Sequence, residues 1–105
     1  MTRRLDFLTT ALENLADIAA YIGDSSGNRD VANFFIASLK RQCLKLAELS
    51  AMLGRARSEI GLDVRSLAYG NYVIYFRYRD DVVEIIAILE RHRDAAAHFN
   101  KHGSD

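Results

Sequence analysis

The hydrophobic positions of this chain change period along its length, and the changes mark the elements. Arg3 to Leu8 alternates loosely and suits a short strand. Thr10 followed by Glu13 has the spacing of a capping box, which starts a helix. Leu12, Leu15, Ala16, Ile18, Ala19 and Ile22 then recur at helical spacing, with Glu13, Asn14 and Asp17 facing elsewhere. Gly23 and the polar run Asp24-Ser25-Ser26-Gly27-Asn28 are expected to end this helix, with Asn28 as N-cap of the next. The second helix, Arg29 to Leu49, shows an apolar stripe of Ala32, Phe35, Ile36, Leu39, Cys43, Leu46 and Ala47. Its wet face carries Asp30, Asn33, Lys40, Arg41, Lys45 and Glu48. Two amphipathic helices joined by a short polar loop make an antiparallel αα-hairpin, which needs a third surface to hide its stripes.

That surface is a meander from Leu62 to Asp94. Gly70-Asn71 between Tyr69 and Tyr72 is a two-residue hairpin signal. It sets Tyr69 opposite Tyr72, Leu67 opposite Ile74 and Arg65 opposite Phe76. Asp80-Asp81 is a second turn signal and places Phe76 opposite Ile85 and Arg77 opposite Glu84. Alternation then puts Val64, Ser66, Ala68, Val73, Tyr75, Arg77, Glu84 and Ile86 on one face. Arg65, Leu67, Tyr69, Tyr72, Ile74, Phe76, Tyr78, Val83, Ile85 and Ala87 take the other. Both faces are apolar, more than one helical hairpin covers, so an open apolar surface is expected as a partner site. Ser50 to Asp63 reads as an irregular loop. Asp94 is expected to cap a short last helix through Ala95, Ala96, Ala97 and Phe99, within a tail that frays over residues 98–105. The expected fold class is α+β, one domain over residues 1–105, in the order β-α-α-β-β-β with an antiparallel meander.

Composition narrows the function. Half of the 105 residues are hydrophobic, 27% are charged, and fourteen basic residues balance fourteen acidic ones. The whole molecule therefore offers no electrostatic pull on nucleic acid, and sequence-specific nucleic-acid binding is not expected. The single cysteine, Cys43, excludes an internal disulfide, suits a reducing compartment such as the cytoplasm, and sits on an apolar stripe as a small core residue. No apolar run approaches the roughly 18 residues of a membrane span. Asp6, Glu13, Asn14 and Asp17 interrupt any signal-peptide core.

Several chemistries lack their residues. There is no glycine-rich phosphate loop, no cofactor motif, and no metal constellation around His92, His98 and His102. No serine has a base beside it in sequence. Arginine remains: Arg55, Arg57, Arg65, Arg77 and Arg79 face only Glu59 and Asp63 between Gly54 and Arg79, and Arg91, His92 and Arg93 follow the last strand. The planar guanidinium fork suits phosphate or carboxylate. Arg77 opposite Glu84 also reads as a plain cross-strand ion pair. The tyrosines Tyr69, Tyr72, Tyr75 and Tyr78 read as sheet packing.

The order and spacing of these residues resemble the ParE branch of the ParE/RelE superfamily of bacterial type II toxins. The resemblance runs through Tyr21-Ile22; Phe35, Leu39 and Leu46-Ala47; and Gly54-Arg55-x-Arg57-x-Glu59. It continues through Leu62-x-x-Arg65-Ser66, Gly70-x-Tyr72-x-Ile74-Tyr75-x-Arg77, Val83-Glu84-Ile85 and Leu89-x-x-x-Arg93-Asp94. Two departures are a missing proline before Gly54 and the charged run Glu90-Arg91-His92 where relatives more often carry a small residue. The resemblance implies a toxin of a plasmid-stabilisation type, without cofactor or metal, that poisons DNA gyrase and is held in a hetero-oligomer by a ParD-like antitoxin. Arg91, His92 and Arg93 are then expected at the target surface, and Tyr21, Arg55, Arg57, Tyr72, Tyr75 and Arg77 at the antitoxin surface. The runner-up is a RelE-like ribosome-dependent mRNA endonuclease on the same fold. RNA cleavage needs a base, an acid and cations on the phosphate, and Glu59, Arg65, Arg77 and His92 are the set that could fill those roles. A third reading is an inactive relative that only binds an antitoxin.

Overall fold

The chain builds one five-stranded sheet with helices on both of its faces. The computed structural model describes residues 2–92 and 95–102. Strand β1 (Arg4–Phe7) leads into α1 (Thr9–Ser26) and α2 (Arg29–Glu48). Strands β2 (Arg55–Ala56), β3 (Arg65–Tyr69), β4 (Tyr72–Arg79) and β5 (Val82–Glu90) follow, then α3 (Ala95–His102). The spatial order is β1-β5-β4-β3-β2, with β1 parallel to β5 and every other pair antiparallel. This is the expected α+β architecture with one strand added: β2 lies inside the stretch read as loop. At two residues, Arg55 and Ala56, it is too short to show alternation. Among the described residues no helix is long and apolar enough to cross a membrane.

The helical hairpin departs from its expected ends. α1 begins at Thr9 with Leu8 as N-cap and no side-chain cap hydrogen bond, so the Thr10–Glu13 capping box does not form. It runs on through Gly23 to Ser26. Gly27 ends it in the left-handed region at φ 67°, donating its N–H to the Gly23 carbonyl. The buried face of α1 is Ala11, Leu15 and Ile18, whereas Leu12 and Ala16 of the expected stripe are exposed. The second helix follows its sequence closely: the Asn28 side chain accepts from the Asp30 N–H at 2.8 Å, and Ala32, Leu39, Cys43, Leu46 and Ala47 are buried.

Both expected hairpin registers are present. Tyr69 pairs with Tyr72, Leu67 with Ile74, Arg65 with Phe76, Phe76 with Ile85 and Arg77 with Glu84. Asp80, in the second turn, takes a positive φ of 55°. The faces then diverge from simple alternation, because Tyr75 pairs with Ala87 while Phe76 pairs with Ile85. Ile86 is the extra residue of a β-bulge. Past it, every side chain of β5 points opposite to its expected side. Ala87 moves to the face away from the hairpin, and Ile88 joins Ile74, Phe76, Val83 and Ile85 in the core beneath α1 and α2.

The second apolar face is not left open. Ala95 and Phe99 of α3 cover Val64, Tyr75, Ile86, Ala87 and Leu89, with the Phe99 and Tyr75 rings 5.5 Å apart edge to face. Phe99 is 9% exposed and lies within a helix that continues to His102, so residues 98–102 are structure rather than a frayed tail. The expected Asp94 cap falls outside the described residues. Gly54 shows how closely the loop approaches the sheet: a β-carbon there would lie 2.7 Å from both Phe76 Cζ and the Ser66 carbonyl, at φ 79°.

Two outcomes check this packing. Phe99→Ala should lower stability by about 3 kcal/mol in urea unfolding, whereas a free tail would leave the midpoint unmoved. Burial pushes the Cys43 thiol up to about 12. The folded thiol therefore stays protonated where the unfolded thiol ionises. Its contribution to stability is fully present below the unfolded value of about 8.5 and declines as pH rises above it. A thiol reagent at mildly alkaline pH should label Cys43 only as fast as the protein unfolds.

Candidate functional site

The sheet's outer edge changes character halfway along β5. β1 pairs with β5 from Arg4–Val82 to Phe7–Ile85, and the Leu8 N–H adds a last bond to the Ile85 carbonyl at 2.9 Å. The chain then turns into α1, and β5 continues without a strand on that side. A side chain takes over: Asn14 Oδ1 accepts from the Ile88 N–H at 2.9 Å. Ile88 is 2% exposed, so an unmet N–H there would cost about 1–3 kcal/mol. One turn further along α1, Asp17 and Tyr21 face Tyr72, Ile88 and Glu90 across a cavity of about 210 Å³. Tyr21 is 64% exposed at its mouth, and Tyr72 is 8% exposed in its wall, its ring centre 5.6 Å from that of Phe35 in a tilted contact. Burial first, then the Glu90 carboxylate and Tyr21, raise the Tyr72 phenol above its ordinary value.

A second group lies on the α3 face. The turn after β2 is closed by the Ile60 N–H on the Arg57 carbonyl at 2.9 Å. It brings Arg57 Nε to Glu59 Oε2 at 2.6 Å and Arg57 Nη1 to the buried Ser66 hydroxyl at 3.3 Å. The guanidinium stands 5.7 Å from the centre of the Tyr75 ring. This hydrogen bond holds the Glu59 carboxyl below its ordinary range and raises the Arg57 guanidinium. Arg77 Nε meets Glu84 Oε1 at 2.5 Å with side chains only 12% and 17% exposed, the cross-strand ion pair its register implied.

The remaining arginines near the loop are structural. Arg65 Nε and Nη2 donate to the Leu53 and Gly54 carbonyls at 2.7 and 3.0 Å, while Tyr78 Oη accepts from the Leu53 N–H at 2.9 Å. Arg3 donates to the Leu49 and Ser50 carbonyls past the end of α2 and lies over the Tyr78 ring at 4.5 Å.

These positions sort the residues named from sequence. The six expected at an antitoxin surface divide: Tyr21 and Tyr72 share the α1–β5 groove, whereas Arg57, Tyr75 and Arg77 lie on the α3 face, with Arg55 exposed on the edge strand. Of the target-surface group, Arg91 and His92 are exposed just past β5, and Arg93 lies outside the described residues. The nuclease set of Glu59, Arg65, Arg77 and His92 is not brought together. Arg65 points to the helical-hairpin side and Arg77 to the opposite face. The Arg91 N–H bonds to the Asn71 carbonyl, so His92 follows the end of β4 remote from Arg77, roughly 20 Å away at about 3.3 Å per residue. No group of metal-ligating side chains is present among the described residues. Sequence reasoning missed Asn14, Asp17 and Glu90. Asn14, Asp17 and Tyr21 share a helix face by spacing, but nothing in the sequence says which surface that face meets.

Asn14→Ala should destabilise the fold by about 1–3 kcal/mol in chemical denaturation. Asn14→Asp, which keeps an acceptor for the Ile88 N–H, should recover most of the loss.

A family model described as the ParE toxin of the type II toxin–antitoxin system, parDE, matches residues 5–95. Among solved structures, the chromosomal ParDE toxin–antitoxin system from P. aeruginosa superposes with a TM-score of 0.75 at 18% identity, covering 85% of this chain and 96% of that one. The RelBE2 toxin–antitoxin complex from Mycobacterium tuberculosis gives 0.63 at 20% identity, covering 89% and 95%. No curated protein sequence shows a significant match. The family match spans nearly all of the strands and helices described above, and the chain belongs to the ParE toxin family.

Proposed function

We propose that this protein is the toxin of a two-protein pair, that it acts by binding and poisoning DNA gyrase, and that a cognate ParD-like antitoxin neutralises it. Family membership supports the toxin role. The observation that carries protein binding over catalysis is the separate commitment of the polar side chains. Arg57 is engaged by Glu59, Arg65 by two loop carbonyls, and Arg77 by Glu84, while His92 stands at the far end of the sheet. An acid, a base and a phosphate-holding cation must act on one bond within hydrogen-bond reach, and these four side chains share no such point. Arg91 and His92, exposed beyond β5, form the proposed target-facing patch. The antitoxin is proposed to engage Tyr21 and Tyr72 through the α1–β5 groove and Arg55 and Arg57 along the sheet, on a surface that the buried Tyr75 and the paired Arg77 brace from within. Helix-in-groove docking and edge addition would use such surfaces.

Induced expression in a susceptible bacterium separates the possibilities. Growth arrest with a DNA-damage response and intact mRNA is the expected result, and Arg91→Glu should weaken it while leaving antitoxin binding within about twofold. Prompt mRNA cleavage that His92→Ala abolishes would instead establish a nuclease. Folded protein that arrests nothing would establish an inactive antitoxin-binding relative.

A further inference from the structure

The helical hairpin has a second apolar face that its packing on the sheet does not use. α1 buries Ala11, Leu15 and Ile18, and α2 buries Ala32, Leu39, Cys43, Leu46 and Ala47. A helix that packs on one side needs one such stripe. Yet Leu12, Ala16 and Ala20 recur every fourth residue on the exposed surface of α1, and Phe34, Ala37 and Leu44 share an exposed face of α2. Phe34 is 73% exposed, an aromatic ring presented to water. A β-carbon at Gly23 would lie 4.0 Å from that of Ala32, so these two positions stand at one level of the antiparallel hairpin. Counting away from them sets Phe34 near the level of Ala20 and Leu44 near that of Leu12, with Ala37 between. The six side chains thus form one strip along the outward side of the hairpin.

The charges beside this strip are divided by helix. α1 carries Glu13, Asp17 and Asp24 and no basic residue. α2 carries Arg29, Lys40, Arg41 and Lys45 against Asp30 and Glu48. Glu13 adjoins Leu12, and Arg41, between Ala37 and Leu44, stands at nearly the same level. Neither takes part in an ion pair or a side-chain hydrogen bond among the described residues.

That division selects an occupant. A twofold axis parallel to the helices lays each α1 antiparallel along the α2 of a second copy, level with level. Phe34 then meets the small side chains Ala16 and Ala20, and Glu13 meets Arg41, each contact occurring twice. An axis across the helices would instead lay α1 on α1 and set its carboxylates against each other. Large opposite small and acid opposite base within one patch is what a self-complementary contact requires. Helices of 18 and 20 residues offer a face about 30 Å by 20 Å. That is about 600 Å² on each partner, the lower end of specific interfaces.

We propose that the outward face of the α1–α2 hairpin joins two copies of this chain in a four-helix contact. The sheet lies on the other side of the hairpin, so the α3 faces of both copies stay outside the contact. A face of this size gives a reversible pairing, formed at about 10 μM protein.

Sedimentation equilibrium of the purified chain from about 1 to about 100 μM tests the contact and should show monomer and dimer in exchange. Phe34→Ser should weaken the dimer about tenfold or more. The ring is exposed, so thermal unfolding of the dilute variant should match the native chain. Glu13→Arg and Arg41→Glu should each weaken self-association about tenfold, because each reversal sets like charges together at two places. Mixing these two variants is the decisive arm. Every contact in the mixed dimer again joins opposite charges, so the mixture should associate about as tightly as the native chain. A native chain that stays monomeric to about 100 μM would overturn the proposal; if Phe34→Ser then weakens antitoxin binding, the face belongs to the antitoxin instead. A dimer that Phe34→Ser leaves intact, or reversal variants that fail to pair with each other, would equally overturn it.

Discussion

The pairing of β4 with β5, and the one extra residue it accommodates, governs most of what lies around it. Without a bulge, Ile86, Ile88 and Glu90 would share the α3 face, and Ala87, Leu89 and Arg91 would face the helical hairpin. With Ile86 as the bulged residue the second half of β5 turns over. Ile88 enters the main core, Ala87 and Leu89 pass to the surface that α3 covers, and Glu90 arrives opposite Asp17 and Tyr21. The same shift orients the Ile88 N–H toward Asn14. Simple alternation would have brought the side of Arg91, in place of Glu90, to the groove that Asp17 lines. One inserted residue thus decides both how the two cores divide and which side chain of β5 lines the groove.

The arginines illustrate how a local excess of positive charge can be absorbed by the fold. Five lie between Gly54 and Arg79, yet three are committed to internal partners. Arg65 holds the loop by its carbonyls, Arg57 closes a turn against Glu59 and Ser66, and Arg77 spans two strands to Glu84. The Arg77–Glu84 pair is largely removed from water, where losing one partner would strand a desolvated charge and cost more than the intact pair contributes. Arginines held this way brace the surface on which a partner docks and are poorly placed to migrate onto a phosphate. Basic side chains left exposed, such as Arg55 and Arg79, are spread along the edge and end of the sheet rather than gathered at one point.

Two surfaces of different chemistry therefore flank the sheet. The α1–β5 groove is lined by Asp17, Glu90 and two tyrosines, and its walls come from elements that belong to the main core. The α3 face is apolar, with the Tyr75 ring in contact with both Arg57 and Phe99. The family's place in two-protein systems fits a molecule with such surfaces to offer.

The helical hairpin, both two-residue turns and the strand registers next to them were legible in the sequence. Each rests on interactions between residues close along the chain: the Asn28 cap on Asp30, the Gly70-Asn71 turn, the alternation that carries Arg77 to Glu84. The family pattern was legible for the same reason, being a matter of order and spacing. The two-residue strand β2, the bulge, the reach of α1 through Gly23 and the cover formed by α3 were not. Ile85 to Leu89 is an unbroken apolar run, and such a run has no alternation from which a register shift could be seen. The helix continues through Gly23 although local propensity opposes it, and a β-carbon there would meet Ala32 of the second helix only in ordinary contact at 4.0 Å. Asn14, Asp17, Tyr21 and Glu90 line one groove only because β1 ends four residues into the sheet and leaves the rest of β5 to α1. Local chemistry fixed the elements and their nearest registers; long-range packing chose which faces meet, and with them the side chains that line the groove.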